Sequence, residues 1–201
     1  MEIGQVLRSS TEGFTCGTRS QDVDGPKFGA FVRTESRNDD ESSTIVGVIT
    51  AIRVDDDPLV RQLIMASNGN GYSNAIRDQR ENRMVPIEID VLSVGYANGE
   101  GVHHALPPRP PFSLDAVMMC IDDEVLTFTE DLSFFRLLLN GRGRTSSAEL
   151  LAAVILQAAR VRAAPDRREF LINIGRQLTA WLDYDLKTLQ HVLSLIRPMA
   201  V

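Results

Sequence analysis

Along the first half of the chain, apolar and polar residues alternate in short runs, and each run contains a glycine. The runs are Glu2–Arg8, Phe14–Arg19, Phe28–Thr34 and Thr44–Val54, with Gly4, Gly17, Gly29 and Gly47 inside them. Alternation with period two predicts strands that bury one face. Glycine weakens a strand unless the chain must bulge, bend or approach another backbone closely, as it does at the corners of a small closed barrel. Gly29 and Gly47 are the two positions expected to occupy such bends. A fifth strand is predicted at Val85–Gly95, where Ile87, Ile89 and Val91 share one face, and a closing strand at Ala116–Cys120. Between them Pro107–Pro111 (PPRPP) forces an extended crossing, because proline fixes φ and biases its predecessor away from helix. Arg109 and Pro110 stand where that crossing leaves the barrel.

From Asp122 onward the period becomes helical. Phe128, Leu132, Phe135, Leu138 and Leu139 predict one helix, stopped by Gly141–Gly143. Ser146 with Glu149 three residues later predicts a capping box, and Leu150, Leu151, Val154, Ile155 and Ala158 form the stripe of the next helix. Pro165 opens a third, with Phe170, Leu171, Ile174, Leu178 and Trp181 facing inward. Asp185 begins a fourth through Leu186, Leu189, Val192, Leu193 and Ile196, and Pro198 ends it. The predicted fold class is α+β: a small β-barrel over residues 1–118 and a helical bundle over 119–201.

The inserted stretches are polar. Glu35–Ser43 predicts an exposed hairpin loop. Asp55–Asp57 before Pro58 predicts a helix start leading into Leu59–Met65, Asn68–Gly71 a turn, and Asn74–Arg83 a surface helix or loop.

Composition narrows the function classes. The 201 residues carry a formal net charge of −6, 43% hydrophobic and 24% charged residues, an ordinary profile for a soluble protein. The acidic balance argues against a surface that binds nucleic acid by charge alone. All basic residues except Lys27 and Lys187 are arginine; the Arg160, Arg162, Arg167 and Arg168 cluster predicts a solvated helix-to-helix turn. Cys16 and Cys120 are isolated, consistent with small buried hydrophobes in a reducing cytoplasm. Glu2 and the absence of an apolar run behind a basic region predict no secretory signal. No stretch approaches the roughly 18 apolar residues of a membrane span.

Candidate chemistry is sparse. His103 and His104 are adjacent, so on a strand they point to opposite faces and do not share one ion; an exposed loop is expected there. His191 is expected at the surface of the last helix. The carboxylates Asp55–Asp57, Asp122–Glu124 and Glu130–Asp131 fall at predicted helix starts, where the macrodipole favours them. No catalytic, cofactor-binding or metal-ligating set is expected.

The N-terminal half resembles the HAS barrel, shared by HerA-type DNA translocases and the N-terminal domains of rotary ATP synthase subunits. The resembling residues are Ile3-Gly4-Gln5-Val6, Phe14, Pro26-Lys27-Phe28-Gly29-Ala30-Phe31-Val32, Val46-Gly47-Val48-Ile49, and Arg109-Pro110-Pro111 at the handover to the next domain. The resemblance covers roughly residues 2–118. In HerA-like proteins an ATPase domain follows, with a glycine-rich phosphate loop ending in Lys-Ser/Thr. Here Lys27 precedes Phe28, Lys187 has no glycine-rich loop before it, and the Gly69/Gly71 cluster has no lysine directly after it. The resemblance therefore implies ring assembly and partner docking without the ATPase: a homo-oligomeric adaptor, with a separately encoded HerA-like ATPase as its partner. Two alternatives remain at this point. One is a nucleic-acid-binding barrel using Phe28, Phe31 and Arg33; the other is a metal-dependent nuclease using the acidic clusters.

Overall fold

The computed structural model describes residues 1–20, 25–37, 42–54, 85–140 and 147–197. The strands are β1 (Glu2–Ser10), β2 (Gly13–Ser20), β3 (Phe31–Arg37), β4 (Ser42–Val54), β5 (Val85–Asn98), β6 (Gly101–His103) and β7 (Ala116–Met119). They form one antiparallel sheet in the order β2-β1-β7-β3-β4-β5-β6, and β2 also pairs with β5. That second pairing closes every strand except β6 into a six-stranded barrel. The α+β architecture predicted for the chain is present.

Closure rests on β5, whose 14 residues serve three neighbours. Its first half lies between β2 and β4, and its last residues pair with β6. Register shifts at Val6/Arg8 in β1, and at Val46/Gly47 and Ile49/Ala51 in β4, add the bends that a small barrel needs. The interior is packed with side chains: Val6, Cys16, Val32, Ile45, Ile49, Ile89 and Val117 have no accessible surface. This barrel is a core, with no room for a ligand inside it.

Five helices follow among the described residues: α1 (Asp122–Phe128), α2 (Phe135–Asn140), α3 (Ser147–Arg160), α4 (Ala164–Trp181) and α5 (Leu186–Ile196). Their buried faces form a second core together with Phe31, Val46, Val48 and Val94 from the outer wall of β3–β5. Over Ile45–Ile49 strand β4 is thus buried on both faces, which is why this stretch reads as a nearly unbroken apolar run. The barrel and the helices share this core across the boundary at 118/119.

Several expectations change. The third strand begins at Phe31 rather than Phe28, because Phe28–Gly29 form a turn in which Ala30 N–H donates to Lys27 O at 3.0 Å. The single helix expected over Phe128–Leu139 is two. Thr129 Oγ1 donates to Val125 O at 2.6 Å and Asp131 Oδ1 accepts from Ser133 N–H at 2.9 Å, so local side-chain bonds replace helical ones. The break gathers Phe31, Phe128 and Phe134, with ring centroids 5.2–6.1 Å apart. On α5, Leu186 and Leu193 are exposed instead of buried, whereas Leu189, Val192 and Ile196 are buried. The remaining helical stripes are buried as expected on α3 and α4, with Trp181 half-buried and stacked on Phe135. Asp185 caps α5 by accepting from Thr188 N–H at 3.1 Å. The expected features at 55–84, Gly141–Gly143, Ser146 and Pro198, and the middle of the Glu35–Ser43 loop, lie outside the described residues.

Gly47 faces the barrel interior at a register shift, and a Cβ there would collide with Val91 and stand 3.0 Å from Leu92 O. Gly47→Val therefore lowers the free energy of unfolding by about 1–3 kcal/mol. By contrast, a Cβ on Gly175 in α4 meets nothing within 4 Å, so Gly175→Ala raises it by about 0.5–1 kcal/mol through helix propensity. Urea melts of the two variants beside the parent chain check both signs.

Candidate functional site

On the barrel wall away from the shared core, the register shift at Val6/Arg8 leaves Leu7 without a partner on β2. A bulge of this kind re-aims a side chain; Leu7 lies over Gly17, where no Cβ competes with it, and stays 48% exposed. Next to β1 runs the proline strap, held by Ser9 Oγ donating to Pro111 O at 2.7 Å. It ends in a tight turn over Phe112–Asp115: Asp115 N–H donates to Phe112 O, and Phe112 N–H donates to Asp115 Oδ2 at 2.7 Å. Leu114 N–H and Val6 O are 2.8 Å apart, which fastens the turn to β1.

Leu114 carries the most telling conformation in this region. Its φ is +74°, the only left-handed non-glycine residue among those described, at a turn position that glycine or asparagine would hold with less strain. Its side chain is 72% exposed and Phe112 is 58% exposed. The backbone of this turn is tied to β1 through Leu114 N–H, but the side chain that it displays is left uncovered among the described residues. That display fits a surface that is covered by something else. Leu7, on β1, and Phe112 and Leu114, on the strap beside it, are the exposed apolar residues taken together as the candidate docking surface among the described residues.

A second candidate is the cleft of about 480 Å³ between the β1–β2 turn, β4, β5 and the helical residues Leu138 and Leu150. Its polar side is an ion-pair ladder along the outside of the barrel. Arg53 donates to both oxygens of Asp90 and, at 3.1 Å, to Glu88; Thr15 Oγ1 donates to Asp90 Oδ1 at 2.8 Å; Arg8 stands 3.5 Å from Glu88. Arg53 holds the Asp90 carboxyl below its ordinary range, with Thr15 adding to the effect. Asp90 and Glu88 in turn push the Arg53 guanidinium further up. The charges of Arg8, Arg53, Glu88 and Asp90 are paired with one another, so the ladder braces β1, β2, β4 and β5.

The positions singled out in the sequence are dispersed. Gly29 sits in the turn before β3 at φ +78°, with a Cβ position 2.6 Å from Ala153 Cβ of α3, so its bare backbone lets the helix approach. Gly47 is inside the barrel; Arg109 and Pro110 lie in the strap. His104 does not occupy an exposed loop. Its side chain is 9% exposed, packed edge-on against Phe128 at 4.6 Å, with Nε2 2.9 Å from Phe128 O and Nδ1 3.1 Å from Ser133 Oγ. His103 ends β6, stacked on Tyr96. His191 is exposed and contacts Glu149 at 2.9 Å.

The arginine turn is not fully solvated either. Arg162 donates to Ala158 O and Thr129 O, and its guanidinium lies 3.8 Å from the Phe170 ring centre; Arg167 donates to Ala159 O and Arg162 O. These arginines satisfy the end of α3. Phe31 is 3% exposed and Phe28 packs on the same core, so these two are not displayed for base stacking. Glu124 is occupied by Ile121 N–H and Arg33, and Asp131 by Ser133 and His104. Among the described residues no three His, Cys, Asp or Glu side chains are grouped as metal ligands. Burial pushes both thiols, Cys16 and Cys120, up to about 12, which keeps them protonated at neutral pH.

Leu7, Leu114 and the Arg53–Asp90 ladder escaped the sequence reading. The signal for Leu114 was present as a leucine in the turn-like Phe-Ser-Leu-Asp, where a small or polar residue is usual. No helix of the described residues is long and apolar enough to cross a membrane. No protein-family model matches the chain, and a search of curated proteins found no match.

The ladder has a pH signature. A carboxyl whose folded value lies below its unfolded value of about 3.9 contributes stability above that value and loses it as pH falls through the folded one. The side chains of Arg53 and Asp90 are 40% and 30% exposed, so screening holds the pair to about 1 kcal/mol. Asp90→Asn is expected to lower the melting temperature by about 2–4 °C at pH 7, and the gap to the parent closes as pH falls below about 4. Melts from pH 7 to pH 2.5 measure it.

Proposed function

We propose that this chain is a non-catalytic adaptor that assembles through the open wall of its barrel. The observation that carries this reading is the exposed Leu7–Phe112–Leu114 surface, held in place by a bulge, a strap and a strained turn. The filled barrel interior supports it as well, since the barrel's useful surface is then its outside. The resemblance to HAS barrels supplies the partner class: a separately encoded HerA-like ATPase engaged in DNA processing, met by a homo-oligomer of this chain in the cytoplasm. That step rests on analogy of fold and motif.

The test is light scattering of the purified chain at micromolar concentration, followed by co-purification with a HerA-like ATPase. The expected mass is a multiple of 22.2 kDa, and the Leu7→Asp/Leu114→Asp double variant is expected to lose the assembly or the ATPase contact while keeping its thermal melt. Monomeric mass combined with unimpaired ATPase capture by the double variant would sink the reading. A second expectation is that calorimetry with magnesium-ATP shows no micromolar binding, because no lysine follows a glycine-rich loop.

A further inference from the structure

A groove of about 330 Å³ lies between α1 and the outer face of the sheet where β4, β5 and β6 run together. Its floor is apolar: Phe31, Val46, Val125 and Phe128, with Ala97 and Val102 on the β6 side. Val102 forms its lip and is 41% exposed. Gly95 lets α1 approach here, since a Cβ there would come within 2.8 Å of the Phe128 ring.

Two further observations say what the groove suits. The first is a strand edge. β6 is the last strand in the sheet order and is not part of the closed barrel. Asn98 pairs with Gly101 across a two-residue turn, so the next pair, Ala97 with Val102, is the non-hydrogen-bonded kind. The N–H and C=O of Val102 therefore point away from β5, along the open edge. Such an edge is a template for another strand. The second observation is charge. Arg33 lines the groove, but its Nε stands 2.9 Å from Glu124 Oε1, and Glu124 Oε2 also accepts from Ile121 N–H. That leaves the carboxylate of Asp123 in the lining without a counter-ion among the described residues. Asp122 is next to it in the chain, and Glu100 stands on the β5–β6 turn.

We propose that this groove takes an extended segment of a partner protein, paired to the open edge of β6, with one large apolar side chain under α1 and a basic residue beside it. The volume fits that load. It is about twice the roughly 150 Å³ that encloses a benzene ring, enough for one aromatic side chain and its attachment. The net negative rim selects the basic neighbour. The site is separate from the Leu7–Leu114 wall and stands or falls independently of it.

The probes are the capped peptides Ac-Arg-Phe-Arg-amide and Ac-Glu-Phe-Glu-amide, titrated to millimolar concentration against the isotopically labelled full chain. The basic peptide is expected to shift the backbone amides of Ala97, Val102 and Val125, and the acidic peptide to leave them in place. Ala97→Phe, which fills the groove, abolishes the shifts. Asp123→Lys, on the exposed first turn of α1, weakens binding about fivefold and serves should Ala97→Phe melt early. The Leu7→Asp/Leu114→Asp variant binds the basic peptide as the parent does. Absence of shifts at these amides, equal binding of the acidic peptide, or shifts confined to the Leu7–Leu114 wall would each overturn the proposal. So would phenethylamine reproducing the full Val102 amide shift, which would assign the groove to small aromatic amines without strand pairing. Shifts at the same amides on concentrating the chain alone would reassign it to a second copy.

Discussion

Most of this molecule hangs on one wall of the barrel, the stretch of β3, β4 and β5 that is apolar on both sides. Inward, Val32, Ile45, Ile49 and Ile89 close the barrel core. Outward, Phe31, Val46, Val48 and Val94 join the helical core. At about 25 cal/mol per Å² of apolar area removed from water, this double burial stabilises both the barrel and the helices packed on it. It also constrains the chain locally. Gly47 must lack a side chain because Val91 fills the inner space, and Gly29 must lack one because Ala153 fills the outer space.

Burying one wall leaves the opposite one open, and the open wall is built differently. On the buried wall, alternation supplies both faces, with the register shifts at Val46/Gly47 and Ile49/Ala51 bending β4. On the open wall, apolar side chains reach solvent through local devices: a bulge for Leu7 and a strained turn for Leu114. A left-handed leucine costs about 1–3 kcal/mol, a large share of the 5–15 kcal/mol that a domain holds in reserve. The hydrogen bond from Leu114 N–H to Val6 O offsets part of that cost, while the side chain, 72% exposed, adds little burial. A leucine displayed in this way is the ground for the assembly role proposed above.

The polar groups tell the complementary story. Arg53 with Asp90, Arg33 with Glu124, and Arg162 with Thr129 and the Phe170 ring each tie together elements that are distant in sequence. His104 likewise joins the end of the β5–β6 hairpin to the break between α1 and α2. These contacts position strands and helices. The charges of the Arg53–Asp90 and Arg33–Glu124 pairs are compensated where they stand, and the two thiols stay protonated.

What the sequence determined by itself is what depends on period and on local backbone chemistry. The barrel strands followed from alternation, the α3 and α4 stripes from helical spacing, and the starts of α4 and α5 from Pro165 and Asp185, because those signals act within a few residues. Tertiary structure decided the rest. The split at Thr129–Phe134 uses local bonds of Thr129 and Asp131, but the packing of Phe128 and Phe134 on Phe31, a hundred residues away, belongs to the tertiary structure. Burial of His104, and the pairing of Arg53 with Asp90, depend on which elements meet across the sheet. The open wall was least legible of all: no periodic pattern singles out Leu7 or Leu114, and their exposure follows from a bulge and a turn that form only when β1 finds its neighbours.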